Sequence, residues 1–193
     1  MTSKLSPRDD KQRAILEATL ELVAARGFHG TPMSQVAKKS GVAVGTIYRY
    51  FPGKEDLISA LYLEVKRRLA QAALQVYSSR APAGDGFKQI FGTVIHYCVG
   101  HPHELSFAEQ CDNSPLIRPE ARAEGLNLAR PIEEFFARAK AEGLLKPLPN
   151  EVLGAIVAGA VISLAKLHLA SGSPVSDEAL DAELEAVWDA IKA

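Results

Sequence analysis

Residues 31–57 read TPMSQVAKKSGVAVGTIYRYFPGKEDL, and this stretch decides the fold class. Its apolar residues recur at the 3.6-residue spacing of helices, which predicts a short helix over 32–40 and a second over 44–51. Gly41 lies in the turn of three or four residues between them. Two short helices joined by such a turn form a helix-turn-helix, and this is the unit that we predict here.

The residue types of this predicted pair suit a module that binds DNA. Four apolar residues are expected to face inward and hold the two helices together: Val36, Ala37, Val42 and Ile47. Side chains of the second helix offer hydrogen-bond donors and aromatic edges to the major groove: Thr46, Tyr48, Arg49 and Tyr50. Lys54, just past Pro52 and Gly53, can reach a phosphate. Helical hairpins with a glycine turn also occur in proteins that do not bind DNA, so the topology alone leaves both alternatives open.

The rest of the chain repeats the helical pattern. Strand-like alternation of useful length is absent from the sequence, whereas 3.6-residue periodicity continues from Asp10 to the end, and the predicted fold class is all-α. Beyond the central pair, helices are predicted over 9–26, 54–79, 87–99, 102–111, 119–142 with a kink at Pro131, 151–170 and 177–192. Residues 78–86, SSRAPAGDG, form the clearest linker. We predict an N-terminal helix-turn-helix domain over 9–69, joined by a long helix to a C-terminal helical domain over 70–193.

Residues with known positional preferences mark several helix ends. Gly27 ends the first predicted helix, and Phe28 after it is placed to contact the last turn. Thr31 followed by Pro32 is typical of a capping hydroxyl with proline at the first helical position. Ser176, followed by two acidic residues, predicts the N-cap of the last helix.

The charge of the chain is unevenly distributed. Residues 1–68 contain 12 Lys and Arg against 7 Asp and Glu, whereas the other 125 residues contain 10 against 16, so the net charge of −1 hides a basic and an acidic part. A basic segment on an acidic body fits a phosphate-facing module on a domain that avoids DNA. Uneven surface charge is also common in proteins without nucleic-acid partners, so this signal supports the helix-turn-helix without deciding it.

Composition and hydropathy narrow the class of protein. The chain is 47% hydrophobic and 23% charged, as in soluble globular proteins. Residues 1–11 lack the apolar segment of a signal peptide, so we expect a cytoplasmic protein. The longest uncharged apolar run, Val152–Ala165, has 14 residues, fewer than the roughly 18–20 that span a bilayer, so we expect a buried helix and no membrane partner.

The sequence shows no catalytic constellation. We find in the sequence no nucleophile with a base, no glycine loop that cradles phosphate and no metal triad. We therefore expect neither an enzyme nor a cofactor. A structural helical adaptor whose hairpin resembles a DNA-binding unit by chance remains a second alternative to a regulator. Binding to promoter DNA separates the two.

Taken together, residues 31–57 resemble the TetR family of transcriptional repressors. The resemblance covers residues 9–69, including Gly27 and Phe28, and continues beyond them only as a pattern. It implies a homodimer whose N-terminal modules bind a palindromic DNA operator and are released from it by a small-molecule ligand. It also implies that the DNA is contacted by Ser34, Val44, Gly45, Thr46, Tyr48, Arg49, Tyr50 and Lys54. Val44 is apolar where some members carry a polar residue, and it can contact a thymine methyl group.

The resemblance further implies a ligand cavity between the helices of the C-terminal domain. We expect a small, largely apolar ligand. Its candidate contacts are aromatic walls and polar anchors: Phe91, Tyr97, Phe107, Gln110, Asn127 and His168. Aromatic clusters at helical spacing are also typical of an ordinary core, and a polar residue among apolar neighbours is often a satisfied hydrogen-bonding group. For each of these six residues, a role in the core or in an internal hydrogen bond is therefore an alternative to ligand contact.

One cluster contains residue types that bind metals. His96, Cys98, His101 and His103 fall within eight residues, and Cys111 adds a further thiol. On a helix His96 and Cys98 face nearly opposite ways, and neither a C-x-x-C nor an H-x-x-x-H spacing occurs, so we predict no metal site. A redox pair of Cys98 and Cys111 is equally weakly supported, because no neighbouring charge obviously favours the thiolate.

The last two predicted helices carry the signal for self-association. Small residues in the first of them let two such helices approach closely: Gly154, Ala155, Ala158 and Gly159. The final helix carries an apolar stripe: Leu180, Leu184, Val187 and Ile191. Both stripes can pack within one chain, but in the TetR family these helices commonly pair with their copies as a four-helix interface. We therefore expect a homodimer held by the last two helices.

Overall fold

The computed structural model describes residues 7–75, 82–111, 114–172 and 175–193. These residues form helices and no strand, which confirms the predicted all-α class. The N-terminal helices are α1 (Pro7–Arg26), α2 (Met33–Ser40), α3 (Val44–Tyr50) and α4 (Lys54–Gln75). They are followed by α5 (Ala83–Gly100), α6 (Pro102–Cys111), α7 (Pro119–Leu128), α8 (Arg130–Ala141), α9 (Asn150–Ser171) and α10 (Asp177–Ile191). An isolated β-bridge joins Leu145 and Lys192.

The predicted helix over 119–142 is divided into α7 and α8. Ala129 lies between them, and its amide donates to the Leu126 carbonyl at 2.9 Å in a tight turn. Pro131 is in the first turn of α8, where its missing N–H group is not needed. Because a proline ring clashes with the carbonyl of the preceding turn, the kink predicted at Pro131 is a full break.

The linker predicted over 78–86 is partly wrong. Residues 76–81, which include the predicted end of α4, lie outside the described residues, but Ala83–Gly86 form the first turn of α5. Pro82 precedes this turn with φ −50° and ψ 145°, and Asp85 provides the negative charge that a helix N-terminus favours. The glycines and prolines of this stretch therefore mark a helix start as well as a connection.

Of the helix ends that capping residues marked in the sequence, the one at Thr31 differs from the prediction. The buried Thr31 hydroxyl donates to the Gly27 carbonyl at 2.9 Å, while Pro32 takes the N-cap position of α2 without a side-chain cap bond. Helix α2 therefore begins one residue later than predicted. Gly27 ends α1 with φ 69°, and Ser176 accepts a backbone amide of α10 at 3.2 Å, as predicted for each.

Packing divides the chain into two compact units. The first unit combines Met1–Lys66 with His103–Gly125, so α6 and the first turns of α7 pack with the N-terminal helices. The second unit combines Arg67–Pro102 with Leu126–Ala193 and contains α5, α8, α9 and α10. The domain boundary near residue 69 stays a prediction.

The first unit has one continuous apolar core. Its buried residues come from six helices and include Ile15, Val23, Val36, Ile47, Leu57, Leu61, Phe107 and Ala121. The ring of Phe28, just after α1, meets that of Phe107 edge-on with centroids 6.0 Å apart. Helix α6 thereby covers the end of α1, and removal of these side chains from water is the main term that stabilises the unit.

The second unit is organised around α5. This helix packs on α9 and α10, and α8 packs on α9. The ring centroid of Phe87 lies 4.7 Å from that of Phe91 and 5.2 Å from that of Trp188, and Phe91 lies 6.3 Å from Phe136. Aromatic rings from α5, α8 and α10 thus meet in one group.

Helix α9 is apolar on its exposed side as well as on its buried side. Four residues spaced one turn apart are buried: Leu153, Val157, Val161 and Ala165. On the other side Val152, Ile156 and Leu167 are 41%, 40% and 60% exposed, so the expectation of a buried helix holds for one face only. Helix α9 has the length and mean hydropathy, 2.0, of a membrane-crossing helix, with 22% of that stretch buried. The core helix of a soluble protein passes the same test, so length and composition do not make α9 a membrane span.

Candidate functional site

The turn between α2 and α3 depends on Gly41. Its backbone has φ 69° and ψ 12°, in the left-handed region that glycine enters at little cost. The Ser40 hydroxyl accepts the amide of Val42 at 3.3 Å, and Val42 is buried beneath the turn. Helix α3 begins at Val44. The orientation of α3 against α2 is therefore fixed by a backbone conformation and by an apolar anchor.

Apolar side chains hold α3 in place from below. Val36 on α2 and Ile47 on α3 are buried, and Ala37 is half-buried against the same cluster. The prediction that these residues and Val42 face inward is confirmed. Because Ile47 is central in a helix of 7 residues, the positions on either side of it face outward.

Two polar contacts fix α2 against α1. The Arg26 guanidinium donates to Gln35 Oε1 at 2.8 Å, and Lys39 Nζ lies 2.6 Å from Glu21 Oε2. Both pairs are largely exposed, so each adds little to the free energy of unfolding. They restrict how α2 lies on α1, and α3 follows α2 directly.

Four of the predicted DNA contacts form the exposed face of α3. Val44 and Tyr48 are one turn apart and are 38% and 47% exposed. Gly45 and Arg49 form a second such pair, and both are exposed. A Cβ atom built on Gly45 meets nothing within 4 Å. This face presents a guanidinium, a phenol ring, a branched apolar side chain and bare backbone to the solvent.

Three further predicted DNA contacts lie in different surroundings. Ser34 is exposed near the start of α2, and Thr46 is half-buried on α3. Tyr50 is half-buried; its hydroxyl donates to the Arg8 carbonyl at 3.3 Å, and the Arg8 guanidinium carbon lies 6.0 Å from the centre of its ring. Sequence reasoning missed Arg8, because the only local signal is a basic residue at a helix start, 42 positions from Tyr50.

Lys54 begins α4 and is engaged in a backbone contact. Its Nζ donates to the Phe28 carbonyl at 2.5 Å, and partial burial lowers the pKa of its ammonium group. The side chain thus ties the start of α4 to the end of α1, a role that the sequence did not indicate. Its assignment to a DNA phosphate stays a prediction, as do those of the other seven residues.

Two of the six predicted ligand contacts belong to the first unit. Phe107 is fully buried and packs against Phe28. Gln110 Nε2 donates to the Val23 carbonyl at 3.3 Å and joins α6 to α1. These are the structural roles that the sequence left open as alternatives.

The other four predicted ligand contacts belong to the second unit. Phe91 is buried in the aromatic group, and Tyr97 stacks on the His101 imidazole with ring centroids 4.1 Å apart. His168 Nε2 lies 2.9 Å from Glu183 Oε2, while Asn127 is exposed near the end of α7. The division between units therefore separates the six residues into two groups, and their joint role at one ligand stays a prediction.

A groove on the second unit runs between α9 and α10. It has a volume of about 410 Å³ and a mostly apolar lining: Ile156, Ala160, Ser163, Leu164, Glu183, Ala186, Val187 and Ala190. The six predicted ligand contacts are not among these residues, although Glu183 is the partner of His168. The groove lies on the two helices expected to pair with a second copy.

The His and Cys cluster of α5 and α6 is engaged in other contacts. His96 Nε2 lies 3.8 Å from Asp177 Oδ1, and His101 Nδ1 lies 2.8 Å from a backbone carbonyl one turn earlier. Cys98 and Cys111 are buried thiols. Within the part of the chain that the structure describes, no group of three or more His, Cys, Asp or Glu side chains is arranged to hold a metal ion.

Known families account for most of the chain. Residues 15–61 match bacterial regulatory proteins of the tetR family, and residues 82–192 match the tetracyclin repressor-like C-terminal domain. This chain belongs to the TetR family. TetR-family proteins are DNA-binding transcriptional regulators and not enzymes, so the resemblance and the regulatory function predicted from residues 31–57 are confirmed.

Two regulators match about two thirds of this TetR-family chain. A fatty acid metabolism regulator protein of Bacillus subtilis is 29% identical over 126 residues, which cover 65% of this chain and 60% of that protein. The transcriptional repressor KstR of Mycobacterium tuberculosis is 42% identical over 146 residues, which cover 69% and 60%. The chain therefore spans about three fifths of the length of these two relatives.

Two further TetR-family matches span almost the whole chain. An HTH-type transcriptional regulator of Haemophilus influenzae is 24% identical over 186 residues, 96% of this chain and 97% of that protein. The crystal structure of a TetR family transcription regulator from Marinobacter aquaeolei superposes with a TM-score of 0.89 at 27% identity, covering 96% of this chain and 97% of that one. An N-terminal helix-turn-helix followed by a C-terminal helical domain is thus common to both chains.

Proposed function

We propose that this TetR-family regulator is a cytoplasmic homodimer that represses transcription from a palindromic DNA operator and is released by a small, largely apolar ligand. The observation that carries the DNA-binding part is the outward face of α3, where Val44, Gly45, Tyr48 and Arg49 are exposed above a buried Ile47. A short helix that is anchored by an apolar side chain and presents such a face is suited to enter the major groove.

The side chains of this face differ in what they can contact. A guanidinium such as that of Arg49 can donate two hydrogen bonds, to O6 and N7 of guanine. Val44 can pack against a thymine methyl group, and Tyr48 offers a hydroxyl and a ring edge. Gly45 has no side chain, and no other atom of the chain lies within 4 Å of where its Cβ atom would be. The backbone of α3 can therefore approach the DNA closely at this position. In this proposal Arg49 supplies most of the base discrimination.

Contacts with phosphates supply much of the affinity. Residues 1–68 carry the basic excess of the chain, and counterion release by such residues makes DNA binding depend on salt. Ser34 and Lys54 are proposed backbone contacts. In this proposal Lys54 Nζ leaves the Phe28 carbonyl and binds a phosphate oxygen, so DNA binding loosens the link between α1 and α4.

The exposed side of α9 supports a dimer held by the last two helices. Val152, Ile156 and Leu167 leave apolar surface in water in a single chain, and Gly159 on the same side of the helix is exposed and small. A second copy related by a two-fold axis places the same face opposite itself, so that each apolar surface covers the other. The groove beside α10 extends this face.

Only part of the predicted stripe on α10 is available to a second copy. Leu180, Leu184 and Ile191 are buried and therefore pack within the chain. Val187 is half-buried and lines the groove with Ala186. In the proposed dimer α9 therefore supplies most of the apolar contact, and α10 supplies the edge.

Helix α4 carries the proposed coupling between ligand and DNA. It is continuous over Lys54–Gln75, while the division between the compact units falls after Lys66. A tilt that begins at its C-terminal end is passed to α3 through Pro52 and Gly53. A ligand needs only about 1–3 kcal/mol of differential binding to change operator affinity about 5–150-fold. Similarity to the fatty acid metabolism regulator of Bacillus subtilis supports an apolar ligand of the fatty-acid type.

The DNA-binding part is tested with a selected operator. Purified protein enriches duplexes from random-sequence DNA, and binding to the enriched duplex is measured by fluorescence anisotropy between about 50 and 200 mM salt. Arg49→Ala and Tyr48→Ala are each expected to weaken binding by about 1–3 kcal/mol and to relax base preference. The control Arg130→Ala removes an exposed guanidinium from α8 and leaves the affinity unchanged.

The ligand part is tested on the same protein–operator complex. A long-chain fatty acid is expected to release the wild-type protein, with less release for His168→Ala and Tyr97→Ala. Failure to enrich any duplex, or binding that is independent of salt, contradicts the DNA-binding part. The ligand part is contradicted if apolar compounds raise the unfolding temperature of the protein but do not release it from the operator.

A further inference from the structure

We propose that Arg8 is a further contact with the DNA backbone and that Tyr50 positions it there. This inference rests on the DNA-binding function proposed above, and it changes the role of Tyr50 from a base contact to a positioning residue. Two contacts across 42 positions of sequence carry it. The Tyr50 hydroxyl donates to the Arg8 carbonyl at 3.3 Å, and the Arg8 guanidinium carbon lies 6.0 Å from the centre of the Tyr50 ring.

Tyr50 is held by the core of the first unit. It is the last residue of α3, it is half-buried against the apolar cluster beneath the helix-turn-helix, and its ring centroid lies 6.3 Å from that of buried Phe51. A side chain that a core restrains on one side keeps few orientations. Its hydroxyl therefore ties the beginning of α1 to the end of the helix that enters the groove.

Arg8 is exposed, and its described partner is an aromatic face. A guanidinium that lies over a ring keeps its N–H donors in the plane, where they match two oxygens of a phosphate. Of the acidic residues that follow it in α1, Asp10 pairs with Arg13 at 3.5 Å. Part of the negative charge near the start of α1 is thereby compensated.

The location suits a phosphate better than a base. The face of α3 proposed to contact base edges is exposed, whereas Tyr50 is half-buried against the core and its hydroxyl is bonded to the Arg8 carbonyl. A cation beside the end of a helix in the major groove faces the sugar-phosphate backbone at the edge of that groove. Arg8 therefore adds affinity that does not depend on base sequence.

The salt dependence of operator binding separates a phosphate contact from a structural one. Each phosphate contact contributes about −0.9 to the slope of log K against log salt concentration, so loss of Arg8 from both protomers in Arg8→Ala reduces the slope by about 1.8. Arg8→Lys keeps the cation and most of the slope. Arg130→Ala removes an exposed arginine from α8, in the second unit, and is the control, with an unchanged slope.

Tyr50→Phe tests the positioning role. It keeps the ring and its core contact and removes only the hydroxyl bond to the Arg8 backbone. We expect weaker operator binding, with no further loss when Tyr50→Phe is added to Arg8→Ala, because the hydroxyl acts through Arg8. Additive losses overturn the positioning role, and thermal unfolding of each variant shows whether the fold is intact.

The controls also separate this inference from the function on which it rests. A wild-type protein that binds the selected duplex without salt dependence overturns the DNA-binding proposal itself. A normal wild-type slope together with an unchanged slope in Arg8→Ala overturns only the contact of Arg8 with phosphate.

Discussion

Gly41 and Gly45 lie four residues apart in the helix-turn-helix and have different structural roles. Gly41 has φ 69°, a backbone conformation that a side chain makes unfavourable. Gly45 lies within α3, and a Cβ atom there meets nothing within 4 Å. The fold therefore requires glycine at the first position, whereas the second glycine leaves room for a molecule outside the chain.

Replacing each glycine with alanine separates these roles. Gly41→Ala is expected to lower the free energy of unfolding by about 1–2 kcal/mol, because the left-handed conformation becomes strained. Gly45→Ala is expected to raise it by up to about 1 kcal/mol, because alanine favours the helix, and yet to weaken operator binding. Urea unfolding measures the first effect and operator titration the second. A Gly45→Ala protein that binds the operator as tightly as the wild type removes Gly45 from the interface.

The contacts that single residues make within the chain were not predicted where the partner is not visible in the local pattern. Thr31 has the sequence context of an N-cap, but its hydroxyl bonds backward to Gly27. Lys54 donates to a carbonyl 26 positions earlier, and Tyr50 to one 42 positions earlier. Such contacts depend on how helices cross, and periodicity within one helix does not contain that information.

At the level of helices, marked ends made the prediction reliable. Helix α6 begins and ends at the predicted residues, and α10 begins at Asp177 after its capping serine. The interruption near Pro131 was predicted as a kink and not as a division into α7 and α8, because apolar periodicity continues through Pro131 although the hydrogen-bond ladder cannot. The exposed side of α3 was predictable because Ile47 alone sets the rotation of a short helix. The candidate ligand contacts lie on four helices, α5, α6, α7 and α9, whose rotations depend on packing.

Helices α4 and α7 approach closely in the first unit, where Gly125 faces Tyr62. A Cβ atom on Gly125 lies 2.6 Å from Tyr62 Oη and 2.7 Å from Cε1, and both residues are buried. We expect Gly125→Ala to lower the free energy of unfolding by about 1–3 kcal/mol, because the packed helices must separate. Urea unfolding measures the change. Gly100→Ala, at an exposed position where a Cβ atom meets nothing within 4 Å, is the matched control.

A second substitution shows whether the effect is a steric clash. Tyr62→Leu removes the ring atoms that the new methyl group meets, so Gly125→Ala is expected to cost less in that background than in the wild type. Equal costs in the two backgrounds exclude a clash with Tyr62 and place the effect in the backbone of α7.

At the scale of the whole molecule, the proposed dimer is tested at Gly159, which is exposed on the same side of α9 as Ile156 and has open space where a Cβ atom would lie. Gly159→Arg places a cation in the proposed apolar seam, where an unpaired charge costs several kcal/mol, so we expect monomers by light scattering at low micromolar concentration. Ala137→Arg adds the same charge to an exposed position of α8 and is expected to leave the dimer intact. A dimeric Gly159→Arg protein places the interface elsewhere.

In the proposed dimer, the apolar side of α9 links the folding of the regulator to its abundance. Side chains such as Leu167, which is 60% exposed in one chain, leave water in that dimer when a second copy binds. Mass action then raises the stability of each protomer as the protein becomes more concentrated. Because a palindrome is read by two modules together, the population able to occupy it grows with the square of the protomer concentration while dimers are scarce. A cell that halves its supply of this regulator in that range therefore loses about three quarters of its repressing species.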